Sequence, residues 1–178
     1  WLCMVCCLSI EAAQVERKQL FNDGWKFRLG DEATASTVGF DDASWRKLTL
    51  PHDWSIEHDF DEKYPSGNDG GYVMTGIGWY RKSFIVPTSI VGKRLSLYFE
   101  GVYMNSEVFV NGQSVGKRPY GYSSFAYDIT PYIKVGEQNV VAVRVDNSKQ
   151  RNCRWYTGAG IYRHVWLVTT EALHVAHW

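Results

Sequence analysis

Arg154, Trp155 and Tyr156 stand directly before a run of small residues, Gly158-Ala159-Gly160, which leads into a strand-like segment. A guanidinium beside two aromatic faces and several backbone amides is chemistry suited to a sugar, whose ring faces are apolar and whose rim is hydroxylated. Arg donates several hydrogen bonds and accepts none, so it would meet sugar hydroxyls as a donor. Gly158 and Gly160 permit a tight backbone turn without side-chain crowding. Beyond the turn, Val165 and Leu167 alternate with His164 and Trp166, the two-residue period of a half-buried strand. The loop is therefore expected at the mouth of a sheet, held by rigid structure, with Trp155 and Tyr156 positioning it. The competing reading of Arg154 is an ion pair at the surface.

Other constellations are poorer in chemistry. His52, Asp53, His58, Asp59, Asp61 and Glu62 crowd together, but without the short paired spacings that place metal ligands on one element. Hydrogen bonding in turns is the expected role of His52 and Asp53. Gly76-Ile77-Gly78 and Gly158-Ala159-Gly160 each give a G-x-G, yet no third glycine heads a helix, which rules out a dinucleotide fingerprint. There is no P-loop and no nucleophile elbow. Retaining glycoside hydrolysis needs two carboxylates roughly 5 Å apart. Glu100 and Glu107 flank a strand and turn, Glu137 follows Gly136, and nothing pairs any two of them. All three read as surface charges. No catalytic residue is assigned, and the chain alone is expected to be inactive.

The elements that must position the loop read as strands. Trp25, Phe27 and Leu29 alternate with Lys26 and Arg28, and a polar loop then runs to Ser44. Residues 45–50 form a short strand candidate closed by Pro51, and residues 52–78 are a long irregular stretch. A connection of that length is usually functional or disordered. Residues 79–86 form a strand ending at Pro87, and Leu95, Leu97 and Phe99 alternate with polar neighbours. Val108 and Val110 lead into Asn111-Gly112, the strongest short hairpin signal. Residues 125–129 and 140–145 are further strands, and no segment holds a helical period over ten residues. The expectation is all-β: an antiparallel β-sandwich of jelly-roll type, like galactose-binding domains.

Composition agrees. The 178 residues include 8 Trp and 11 Tyr, rich in the aromatics that strands favour. Lys plus Arg balances Asp plus Glu at 19 each, and without a basic stripe neither nucleic acid nor an anionic membrane is an expected partner. Residues 2–10 (LCMVCCLSI) are too short to span a bilayer and match the apolar part of a signal peptide. Residues 1–13 are accordingly expected to be a partial signal peptide of an exported protein, with a lipid anchor at Cys6 or a buried first strand as alternatives. No transmembrane segment is expected. After cleavage Cys153 alone would remain, so no internal disulfide is available.

Four ordered motifs carry a resemblance: PHDWSIEHDF at 51–60, GIGWYRKSF at 76–84, VFVNGQSVG at 108–116 and RWYTGAGIYRHVWL at 154–167. Together they resemble the N-terminal domain of family 2 glycoside hydrolases, and the bacterial β-galactosidases most of all. The resemblance implies a jelly-roll sugar-binding domain over residues 14–171, with residues 172–178 opening an immunoglobulin-like domain. A catalytic TIM barrel carrying both glutamates would follow, with no cofactor. It also implies that loops of this domain touch the terminal β-linked sugar of an oligosaccharide. One such position falls on Arg154, where some relatives carry Asp. The second lies near Met74 and Thr75, where relatives often place Asn or Asp. The expectation is thus a non-catalytic domain of a β-galactosidase. The alternatives are a β-glucuronidase or β-mannosidase of the same family, in which Arg154 could pair with a uronate, or a free-standing carbohydrate-binding module.

Overall fold

The computed structural model describes residues 16–152 and 155–175. Among them run ten strands: β1 (Lys18–Leu20), β2 (Trp25–Leu29), β3 (Arg46–Leu48), β4 (Gly76–Ile85), β5 (Arg94–Phe99), β6 (Ser106–Val110), β7 (Gln113–Arg118), β8 (Phe125–Asp128), β9 (Gln138–Asn147) and β10 (Val165–Thr170). They form a four-stranded sheet in the order β1-β10-β5-β8 and a six-stranded sheet in the order β3-β2-β4-β9-β6-β7. Every pairing between strands is antiparallel. This is the expected sandwich. No helix among the described residues is long and apolar enough to cross a membrane.

The alternation read from the sequence decides which side chains face inward. Leu95, Leu97 and Phe99 of β5 and Val165 of β10 are buried against Phe27, Tyr80, Val108, Val141, Val143 and Val145 of the facing sheet. Removing this apolar area from water is the main stabilising contribution. At Asn111-Gly112 both residues take positive φ, 50° and 83°, and β6 turns directly into β7 with Val110 opposite Gln113. That is the two-residue turn whose twist matches a hairpin.

Two stretches read as loops have more structure than their composition suggests. Residues 30–45 lie across the outer face of the six-stranded sheet as a strap, where Ala35 and Trp45 bury Trp79 and Ala142 in a second small core. Polar contacts fasten it. Asp31 accepts from Arg144 Nε at 3.0 Å and Nη2 at 2.8 Å, and from Trp79 Nε1 at 3.1 Å. Arg81, fully buried on β4, donates to Asp42 at 2.8 Å, to the Thr37 carbonyl at 3.0 Å and to the Ala35 carbonyl. The second stretch, residues 49–75, holds two single 3-10 turns, Trp54–Glu57 and Asn68–Gly70. Backbone bonds from Asp61 to Tyr72 (3.1 Å) and from Tyr72 to Gly67 (2.9 Å) fold it upon itself. It is ordered, and it ends at the mouth of the sandwich.

Candidate functional site

The site is built where three segments meet beyond the start of β10. Residues 159–161 run between residues 52–54 and Tyr103 like an added strand. His52 N donates to the Ile161 carbonyl at 2.8 Å and Trp54 N to the Ala159 carbonyl at 3.1 Å. On the other side Tyr103 and Gly160 exchange two bonds of 2.9 Å. Gly160 has φ 122°, and a Cβ there would collide with the Tyr80 hydroxyl and the His52 carbonyl. Only glycine fits so close an approach.

Asp53 clasps the loop that precedes this rung. Its Oδ1 accepts from Ser55 N and from Ala159 N, each at 2.9 Å, and its Oδ2 accepts from the Tyr156 hydroxyl at 2.6 Å. Burial, then the hydrogen bond to Asp53, pushes the Tyr156 hydroxyl well above the ordinary phenol range, so it remains a donor. A Cβ on Gly158 would stand 2.7 Å from Asp53 Oδ2, so the loop must be bare there. Asp53 therefore caps a turn, as read from the sequence, and also ties residues 156–159 to it.

His52 departs from its expected role. Its ring is buried, with Nδ1 2.7 Å from the Tyr80 hydroxyl and Nε2 2.7 Å from Arg46 Nη2 and 3.2 Å from Glu57 Oε1. Burial is the largest influence and holds the imidazole below its usual pKa, against the pull of Glu57. A neutral ring shared among three partners is a structural pin under the site, not a turn cap.

Over the clasp opens a cavity of 710 Å³ whose walls include Ile56, Phe60, Tyr72, Trp155 and Tyr156. Phe60 is 78% exposed, Ile56 72% and Trp155 71%. Trp155 thus lines the cavity while largely exposed, and among the described residues the hydroxyl of Tyr156 ties this part of the loop to Asp53. Behind Tyr156 lies a second cavity of 170 Å³, lined by Asp53, Tyr103, Tyr122, Tyr156 and Tyr162. Tyr156 is a wall common to both.

Arg154 lies outside the described residues, as do Cys153, Cys6 and the apolar run at 2–10. Thr75 directly precedes β4, is 8% exposed, and is not among the residues that line either cavity. Glu100 and Glu107 are more than surface charges. Glu100 accepts from Trp166 Nε1 at 2.8 Å, while Glu107, on the other sheet, accepts from Ser114 Oγ at 2.9 Å and pairs with Lys117 at 3.0 Å. Glu137 is exposed. Among the described residues no group of three His, Cys, Asp or Glu side chains is placed to hold a metal ion. Ile56, Phe60, Tyr103 and Tyr122 escaped the sequence reading. Their signal was apolar and aromatic residues set in polar loops, with no strand period to bury them.

Comparison with known proteins places this geometry. Residues 19–171 match the family described as glycosyl hydrolases family 2, sugar binding domain. A beta-galactosidase of Bacteroides ovatus is 54% identical over 172 residues, 97% of this chain and 20% of that protein. A candidate beta-glucuronidase of Formosa agariphila is 46% identical over 174 residues, again 97% of this chain but 17% of that protein. A crystal structure of a glycosyl hydrolase family 2 member from Bacteroides cellulosilyticus superposes with TM-score 0.85 at 42% identity, covering 88% of this chain and 21% of that one. A beta-glycosidase from Bacteroides vulgatus gives TM-score 0.84 at 47% identity, covering 86% and 20%. The chain spans about a fifth of the length of these relatives.

Proposed function

This chain belongs to the glycosyl hydrolase family 2 sugar-binding domains, and on that premise we propose that it is the non-catalytic N-terminal domain of a retaining β-galactosidase. The parent would remove terminal β-galactosides, with its paired carboxylates in a downstream TIM barrel beyond an immunoglobulin-like domain. The observation that carries this reading is the Asp53 clasp, which holds residues 156–159 at the edge of an apolar cavity. Arg154, two residues before Tyr156 in the sequence, is the proposed donor to a hydroxyl of the terminal sugar, with Thr75, directly before β4, as a second candidate. The exposed faces of Phe60, Ile56 and Trp155 suit contact with the barrel that completes the site. The preference for galactose rests on the 54% identical relative named beta-galactosidase. Export is proposed from the apolar run at residues 2–10 and is tested by cell fractionation.

A second reading has support of its own. Relatives named for beta-glucuronidase include a Bacteroides fragilis protein 32% identical over 157 residues. In such an enzyme Arg154 would pair with the uronate carboxylate.

Matched chromogenic β-galactoside, β-glucuronide and β-mannoside, given to the full-length parent, decide between them. The galactoside is expected to be turned over fastest, and a faster glucuronide transfers the assignment. Arg154→Ala is expected to lower kcat/KM for the preferred glycoside about 10- to 100-fold, the loss of a hydrogen bond from a charged donor. Unchanged turnover would remove Arg154 from the site.

A further inference from the structure

The second cavity has a chemistry of its own. Tyr103 and Tyr122 meet edge to face with centroids 5.1 Å apart, and Tyr122 meets Tyr120 in the same manner at 5.8 Å. Tyr120 is 61% exposed and Tyr122 56%, so the aromatic surface continues out of the cavity as a ledge. The loop that carries them is fixed on both sides. Tyr162 donates its hydroxyl to the Gly121 carbonyl at 2.8 Å, and Arg118 Nη2 donates to Ser123 Oγ at 3.0 Å. A Cβ on Gly121 would overlap the Tyr103 ring, so the loop is closely packed onto that ring. The surface is preformed, which lowers the cost of ordering it around a ligand.

At the inner end stands Asp53. A carboxylate offers about four acceptor positions. Ser55 N, Ala159 N and the Tyr156 hydroxyl fill three. One remains on Oδ2 for a hydroxyl donor. Among the described residues lining this cavity the one charged side chain is the Asp53 carboxylate, which disfavours an anionic ligand. An aromatic floor with one open carboxylate acceptor matches a neutral pyranose, which stacks its C–H face and donates from its rim.

We propose that the Tyr103–Tyr122 cavity, with Tyr120 as its ledge, is a subsite for a neutral pyranose in the aglycone of an oligosaccharide substrate. It lies across Tyr156 from the larger cavity, so one chain of sugars would engage both sides of that ring. The inference rests on the proposed function in that the terminal sugar is placed in the larger cavity.

The test compares two substrates of the full-length parent that share the terminal sugar: an aryl monoglycoside and a neutral tetrasaccharide. Tyr122→Ala is expected to lower kcat/KM for the tetrasaccharide about tenfold, through KM, and to leave the aryl glycoside within twofold. Tyr122→Phe, which keeps the ring, is expected to behave as wild type. Equal losses on both substrates would assign the tyrosines to folding or to packing against another domain. No loss on either would also overturn the subsite. A parent that prefers glucuronides defeats the galactosidase reading alone, and the same comparison then runs with glucuronosyl substrates. A parent that turns over no glycoside defeats the functional reading. The subsite is then judged by calorimetry, where the tetrasaccharide should bind wild type and bind Tyr122→Ala about tenfold more weakly. Failure of wild type to bind at millimolar sugar sinks it.

Discussion

Asp53 joins residues that lie 103 and 106 positions away in sequence, Tyr156 and Ala159. Its bond to Ser55 was legible, because an Asp two residues before a turn amide is a local pattern. The other two bonds were not, since nothing in the chain announces a partner at that separation. Asp53→Ala would leave Ala159 N and the Tyr156 hydroxyl without their acceptor. It is expected to cost about 1–3 kcal/mol in denaturant unfolding, with Asp53→Asn costing less because the amide oxygen still accepts. An unchanged midpoint would mean the clasp holds nothing. His52 was read as a hydrogen bonder in a turn and turns out to matter as a buried, neutral ring. Because burial holds its folded pKa below the ordinary 6.5, the unfolded chain takes up the proton first on acidification. Its contribution is complete above pH 6.5 and is lost as pH falls from there through the lower folded value. Unfolding curves from pH 8 to 5 should show that decline, and His52→Gln should flatten it.

At the scale of elements, β5 and the β6–β7 hairpin were readable because side chains alternate about one buried face, and β9 because of its valines, although both of its faces are buried from Asn139 to Val143. The strap over the outer face was not. Ala35 is small, its neighbours are polar, and the face it covers gives Trp79 and Ala142 no distinctive period. Charge fastens what composition hides. The hydrogen bonds from Arg144 hold Asp31 below the ordinary carboxylate pKa. Burial opposes ionisation of Asp42, but bonds from Lys26 and Arg81 outweigh it and its pKa is lowered too. With both folded values below 3.8, the strap is fully held above that pH and loosens as pH falls through the folded values. Protection factors of residues 31–45, which correct for the intrinsic exchange rate at each pH, are therefore expected to fall at pH 3 relative to pH 6, ahead of those of β5 and β9. Simultaneous loss in strap and sheets would show that the carboxylates hold the whole domain instead.

For the whole molecule, Phe60, Ile56 and Trp155 form an apolar surface on a chain that spans a fifth of its relatives. Expressed alone, the domain is expected to bind an apolar dye and to self-associate at high concentration. Phe60→Ser with Trp155→Ser should abolish most of both, as read by dye fluorescence and sedimentation. If the double variant behaved as wild type, the surface would lie elsewhere. The flanks of the sandwich tell the complementary story. Each sheet ends in strands poorly suited to accept a newcomer: β1 and β3 have three residues each, β3 carries Arg46 and Lys47, and β8 closes at Asp128. On β7, Lys117 and Arg118 follow an irregularity in register that leaves Val115 out of step with β6. Short, charged and bulged margins resist edge-to-edge pairing. These margins therefore disfavour sideways growth by a borrowed strand, and the loops at the open end of the sandwich are the surface better suited to joining another body.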